Sequence, residues 1–134
     1  MLQSLTLALS AHPRMAPFWR IALALLLCAV LWLALTPSPP PQASLGWDKL
    51  NHAAAFATLA AVAFLGFART WARIAAALLA FGALIEVMQS FTATRSAEWG
   101  DLLADGVGIA LGLLLAGAVV TAVSRRSGAG KMPG

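Results

Sequence analysis

The stretch "LLADGVGIALGLLLAGAVVTAV", residues 102–123, contains one charged residue, Asp105, in an otherwise apolar run. A helix rises about 1.5 Å per residue, so a run of this length crosses the roughly 30 Å hydrocarbon layer of a bilayer. Small residues recur at every fourth position, and this spacing lines one helical face and allows another helix to approach closely. They are Ala104, Gly108, Gly112 and Ala116.

Three further apolar runs indicate that the whole chain belongs to a membrane. They cover residues 18–36, 51–68 and 71–91. The chain is 60% hydrophobic and 10% charged, and its mean hydropathy is +0.83, whereas soluble domains are about 45–50% apolar. We therefore predict an all-α fold, a polytopic membrane bundle of four transmembrane helices. A signal peptide is the rival interpretation of the first run, but no clean cleavage site precedes its terminal prolines.

The domain organisation follows from these runs. Residues 1–17 are expected to form an N-terminal cytoplasmic tail, residues 18–123 the four-helix membrane domain, and residues 124–134 a disordered basic tail. Lysine and arginine in short loops favour the cytoplasmic side, so the distribution of basic residues predicts that both termini are cytoplasmic. Lys49 and Arg95 fall on the opposite side from Arg14, Arg20, Arg69, Arg73, Arg125, Arg126 and Lys131.

Composition also excludes some function classes. The net charge is +4, but the basic residues occur at the ends of apolar runs and form no aromatic-interleaved patch, so nucleic-acid binding is not expected. Cys28 is the only cysteine, which excludes an internal disulfide. It lies in the middle of the first run, where packing or lipid contact is expected.

Polar residues gather where the predicted outer ends of the spans meet. Ionisable residues in spans are costly and usually face the bundle interior, where they pair or line a site. Spacings of three or four residues place such side chains on one helical face. A second small-residue stripe, at Ala53, Ala57 and Ala61, is expected to pack on the stripe of the fourth span and to bring His52 near Asp105. The candidate ligand-binding residues are Asp48, Lys49, His52, Glu86, Gln89, Arg95, Asp101 and Asp105.

Several chemistries remain open for this cluster. A histidine with carboxylates suits zinc or manganese, but no known ligand motif such as H-E-x-x-H is present, so we predict no metal and no cofactor. Two carboxylates are able to act as acid and base, and Arg95 is able to hold a phosphate. A purely structural network of Glu86, Arg95 and Asp101 is the alternative.

Three segments carry a resemblance to a known family. They are "DKLNHAAAFATLA" with Asp48, Lys49 and His52, "EVMQSFTATR" with Glu86, Gln89 and Arg95, and "DLLADGVGIALG" with Asp101, Gly108 and Gly112. Together, over residues 48–112, they resemble the VanZ-like family of small bacterial membrane proteins, named for a protein associated with low-level teicoplanin resistance. The family usually carries asparagine where this chain has Asp105, so Asp105 is expected to be protonated or paired with Arg95 or His52.

The resemblance implies a multi-pass protein of the bacterial inner (cytoplasmic) membrane with an extracytoplasmic polar site. The leading hypothesis is that this site binds or handles an amphipathic cell-envelope molecule, a lipid-linked precursor or a lipoglycopeptide, with teicoplanin resistance as a phenotype. Membrane lipids are the other expected partners. A lipid-headgroup enzyme with Glu86 and Asp101 as acid and base, and a structural or assembly protein, are the alternatives.

Overall fold

The computed structural model describes residues 14–37, 45–67, 70–94 and 97–129. Within these ranges the regular structure is entirely helical, which confirms the all-α prediction. The four helices are α1 (Ala16–Leu35), α2 (Asp48–Gly66), α3 (Trp71–Ser90) and α4 (Trp99–Ala129). Each is long and apolar enough to cross a membrane, as the four apolar runs predict.

Successive helices run in opposite directions. The Arg20 side chain near the start of α1 donates a hydrogen bond to the Gly66 carbonyl at the end of α2, with Nε and O 2.9 Å apart. At the opposite end, Lys49 in the first turn of α2 contacts Asp101 in the first turn of α4. The starts of α2 and α4 and the ends of α1 and α3 therefore share one end of the bundle, which we call the polar end.

Helices α2 and α4 form the tightest contact in the bundle, and glycines make it possible. A Cβ placed on Gly108 would collide with the Ala53 carbonyl, and one on Gly112 would collide with the Ala57 carbonyl. Only hydrogen atoms at these two positions allow the backbones to approach so closely. The predicted packing of the two small-residue stripes is confirmed at these positions.

The core lies among α2, α3 and α4, and α1 packs on its outside. Large side chains from the three inner helices, such as Phe56, Phe64 and Ile85, are almost completely buried. Leu23 is the only buried residue of α1. Many large apolar side chains on the bundle surface are exposed, which is the expected arrangement when lipid tails are the surrounding solvent.

Two predicted helix boundaries differ from the structure at the polar end. Helix α2 begins at Asp48 rather than at residue 51, and α4 begins at Trp99 rather than at residue 102. Polar residues are tolerated there because acidic side chains in a first turn interact favourably with the positive end of the helix dipole. As a result, Asp48, Lys49 and Asp101 project from regular helix and hold defined positions.

The fourth helix also extends further than predicted at its other end. It continues through Ala129, whereas the sequence was expected to become disordered after residue 123. A helix needs no apolar residues once it leaves the bilayer, and a cation such as Arg125 near a helix C-terminus is electrostatically favourable. Residues 130–134 of the predicted tail, and residues 1–13 of the predicted N-terminal tail, lie outside the described residues.

Candidate polar binding site

All of the acidic residues of the chain lie at the polar end. The sequence contains five Asp and Glu residues, and each belongs to the start of α2, the end of α3 or the start of α4 with its preceding turn. In the part of the chain that the structure describes, Lys49 is the only lysine or arginine at this end. The acidic residues are Asp48, Glu86, Glu98, Asp101 and Asp105.

His52 and Asp105 form the most deeply placed polar pair of the site. The Nδ1 atom of His52 lies 2.8 Å from Oδ1 of Asp105, within hydrogen-bonding distance. Asp105 is fully buried, and the His52 side chain is 11% exposed. The pairing expected from the α2–α4 packing is therefore confirmed, and His52 is the partner that buried Asp105 takes.

Asp101 lies one helical turn before Asp105 and faces the other side of the same imidazole ring. Its Oδ2 atom is 4.0 Å from Nε2 of His52, and the residue is buried. Because Asp48 also lies close, one donor atom from each of Asp48, His52 and Asp101 falls within 4.8 Å of the others. Three potential metal ligands thus converge from two helices.

Lys49 links the starts of α2 and α4. Its Nζ atom donates to Oε2 of Glu98 at 2.9 Å and to Oδ1 of Asp101 at 3.3 Å. The carboxylate of Glu98 is half-exposed, whereas that of Asp101 is 4% exposed. Lys49, a candidate ligand-binding residue, is thus bound by two carboxylates of the protein itself.

Glu86 holds the turn that precedes α4. Its Oε2 atom accepts a hydrogen bond from the backbone N–H of Glu98 at 2.8 Å. The other oxygen, Oε1, is buried and has no hydrogen-bond partner among the described residues, and the same is true of Oδ2 of Asp105. Both residues are more than nine-tenths buried, so two buried carboxylate oxygens of the site have no donor in the part of the chain that the structure describes.

Gln89 connects α3 to α1. Its side-chain amide donates to the Ala34 carbonyl, with Nε2 and O 2.9 Å apart. This bond satisfies a carbonyl in the last turn of α1, a region where a helix lacks internal partners. Gln89 therefore fixes the end of α1 beside the site, while its side chain also lines the cavity described next.

A cavity of about 440 Å³ opens between α1, α2 and α3 at the polar end. This volume falls in the range of about 300–1,000 Å³ that is usual for small-molecule sites. Its lining has two parts. The polar side chains are Asp48, Asn51, His52, Gln89 and Thr94, and the apolar side chains are Val30, Leu33, Ala34, Pro37, Ala55, Phe56 and Ile85.

Seven of the eight predicted site residues lie at this end of the described chain. Arg95 is the eighth, and it lies outside the described residues. Glu98 is not among the eight predicted residues, although its charge and its position three residues before Asp101 were available signals. Asn51 and Thr94, which line the cavity, were also not predicted, because they have no charge to distinguish them from ordinary loop and helix-end residues.

The fold and the site together define a multi-pass helical membrane protein with a buried histidine–carboxylate cluster at one end of its bundle. A VanZ/LLP1 family model matches residues 13–120. The chain therefore belongs to the VanZ-like family, as the resemblance in the sequence predicts. No curated protein and no solved structure matches the chain.

Proposed function

We propose that this VanZ-like protein binds an amphipathic molecule of the cell envelope, such as a lipid-linked precursor or a lipoglycopeptide, in the cavity between α1, α2 and α3. The observation that carries the proposal is the division of the cavity lining into a polar and an apolar part. A molecule with a polar headgroup and a hydrocarbon chain matches this division.

The polar part offers hydrogen-bonding groups suited to sugar hydroxyls and amines. His52, Asn51 and Gln89 contribute polar atoms, and Asp48 adds a carboxylate at the exposed start of α2. The apolar part is formed by α1 and by deeper turns of α2 and α3, including Val30 and Phe56. Burying hydrocarbon against these surfaces leaves the headgroup at the polar end, where the protein provides partners.

In this proposed function the protein lies in the bacterial inner membrane, with the polar end on the extracytoplasmic side and both termini in the cytoplasm. The distribution of basic residues supports this orientation. Arg14, Arg20, Arg73 and Arg125 lie near the other end of the bundle, whereas Lys49 lies at the polar end. Cytoplasmic segments carry the excess of lysine and arginine in most membrane proteins.

A cavity-filling variant tests the proposal directly. Ala55→Trp fills the apolar part of the cavity without removing a polar group, and Ala76→Trp places the same side chain on the exposed face of α3. Binding of teicoplanin, of the same glycopeptide without its acyl chain, and of a lipid-linked wall precursor is measured with purified protein in nanodiscs. We expect the wild type and Ala76→Trp to bind an acylated ligand and Ala55→Trp not to bind it. We expect the deacylated glycopeptide not to bind any of the three proteins.

Two results would contradict the proposal. One is equal binding by Ala55→Trp and the wild type, because the cavity would then be irrelevant. The other is binding that does not depend on the acyl chain.

Teicoplanin susceptibility of a sensitive host expressing the same variants, with membrane abundance measured in parallel, tests the proposed phenotype. Abundant wild-type protein that gives no protection would remove resistance from the proposal while leaving ligand binding to the nanodisc assay.

A lipid-headgroup enzyme is the second candidate, and the His52–Asp105 pair favours it. An imidazole oriented by a buried carboxylate is a common arrangement for a general base, and His52 lines the cavity. Glu86 and Asp101 are the alternative acid and base. An enzyme loses turnover in His52→Gln or Glu86→Gln at normal membrane levels, whereas a protein whose cluster serves only packing or assembly loses abundance in those variants.

A further inference from the structure

The convergence of Asp48, His52 and Asp101 has chemical consequences beyond the binding of an amphipathic ligand. One donor atom from each lies within 4.8 Å of the other two. Ligands about 2.1 Å from a tetrahedral metal ion lie about 3.4 Å apart. The 4.0 Å separation of His52 Nε2 and Asp101 Oδ2 is therefore slightly wider than a bound ion requires.

The hydrogen bond between His52 and Asp105 orients the imidazole ring so that its other nitrogen is able to bind a metal ion. When Asp105 is ionised, its carboxylate only accepts hydrogen bonds, so its contact with Nδ1 of His52 places the ring proton on Nδ1. The lone pair is then on Nε2, which faces Asp101. A buried carboxylate behind a histidine is the usual support of a metal-bound imidazole, because it fixes the ring orientation and makes the free nitrogen more basic.

A second observation concerns two further carboxylates at the polar end. Oε1 of Glu86 and Oδ2 of Asp105 are buried without a hydrogen-bond donor among the described residues, and Glu86 lies within electrostatic range of Asp101, His52 and Asp105. Lys49 is already bound by Glu98 and Asp101. Buried carboxylates without a compensating charge are costly, and proteins commonly satisfy them with a cation.

We propose that Asp48, His52 and Asp101 bind a divalent metal ion of the zinc or manganese type, with Asp105 as the positioning residue behind His52. Imidazole together with carboxylates suits these ions, whereas carboxylates alone suit calcium or magnesium. This proposal replaces the expectation from sequence that no metal is bound. The sequence did not reveal this site because its ligands come from two helices, α2 and α4, and form no short sequence motif. His52 and Asp105, which meet across these helices, are 53 residues apart.

A metal ion at this position also specifies the headgroup of the ligand. Asp48 and His52 both line the cavity, so an ion that they hold borders the polar part of the cavity and attracts an anionic group such as a phosphate. This second step rests on the proposed function, whereas metal binding by itself does not.

Metal uptake by the purified full-length protein tests the proposal without any lipid ligand. Protein treated with a chelator is titrated with zinc and with manganese by calorimetry, and bound metal is measured by mass spectrometry after dialysis. We expect one ion per chain. We also expect Asp48→Asn and His52→Gln each to weaken binding by about tenfold or more, a loss that is usual even for residues that only support a metal ligand.

The matched control is Glu98→Gln, which removes a carboxylate from the same end but leaves the three ligands intact. Its affinity is expected to stay close to that of the wild type. Asp48 is exposed, so its variant remains informative if Asp101→Asn does not fold. Absence of zinc and manganese uptake by folded wild type would overturn the proposal, as would wild-type affinity in both Asp48→Asn and His52→Gln. Binding of a lipid ligand that persists in chelator would uphold the proposed function and reject only the link from metal to headgroup.

Discussion

His52 Nδ1 lies 2.8 Å from Oδ1 of Asp105, across the closest helix contact of the bundle. The pair exists because Gly108 lets the backbones of α2 and α4 touch at Ala53. The small-residue packing therefore sets the geometry of the polar cluster. Packing and site chemistry are two consequences of one helix contact.

The His52–Asp105 hydrogen bond is expected to contribute to stability. Asp105→Ala leaves the largely buried imidazole without its acceptor, and we expect a loss of about 1–3 kcal/mol in the free energy of unfolding. Asp105→Asn keeps an acceptor oxygen and is expected to lose less. Unfolding in a dodecyl sulfate titration, followed by circular dichroism, measures both values. Equal losses in the two variants would show that the hydrogen bond is not the cause.

A single methyl group added at the α2–α4 contact is expected to destabilise the protein. Gly112→Ala places a Cβ against the Ala57 carbonyl, and overpacking of this kind typically costs about 1–3 kcal/mol. Gly106→Ala is the matched control in the same helix, because its Cβ would lie 3.8 Å from the nearest atom, in Leu79. The same unfolding titration compares the two. A Gly112→Ala protein as stable as Gly106→Ala would contradict the close approach of the helices.

Lys49 is expected to stabilise the fold mainly through its contact with Asp101 rather than through its contact with Glu98. Lys49→Met removes the cation from a buried carboxylate, whereas Glu98→Gln breaks only a contact whose carboxylate is half-exposed. Exposed ion pairs contribute little, so Lys49→Met is expected to be the more destabilising variant. Unfolding of both proteins at low and high salt tests this order. A greater loss of unfolding free energy in Glu98→Gln than in Lys49→Met would contradict this prediction.

The orientation of the bundle leads to a labelling prediction. In a Cys28→Ser background, Leu45→Cys introduces a thiol just before α2, at the polar end, and Arg125→Cys introduces one near the other end of α4. A membrane-impermeant maleimide is expected to label residue 45 in intact cells and residue 125 only after permeabilisation. The positive-inside distribution is the physical reason. The opposite labelling pattern would invert the proposed topology.

The sequence predicted the fold well because each span carries its own signal. Apolar runs of the right length identify transmembrane helices without reference to the rest of the chain, and all four are present. Helix ends were less predictable at Asp48, Trp99 and Ala129. Polar residues are compatible with both a loop and a helical turn at the membrane surface, so hydropathy alone does not locate the boundary.

One internal contact of the candidate site was predicted from the sequence, and others were not. Spacing on helix faces correctly brought His52 to Asp105, because the glycine stripes specified which faces meet. The same reasoning gave no indication that Lys49 binds Glu98 and Asp101. Side chains this long reach partners on neighbouring helices, and sequence spacing constrains only neighbours on the same helix.

The sequence by itself determined that this protein is a four-span membrane protein whose acidic residues cluster at one end, because hydropathy and helical periodicity are local properties. Only the tertiary structure decided which polar groups meet. It placed His52 between Asp105 and Asp101, left Oε1 of Glu86 without a donor among the described residues, and opened a cavity with a polar and an apolar part. These features depend on the distance and rotation between α2, α3 and α4, which side-chain packing sets and no single helix encodes.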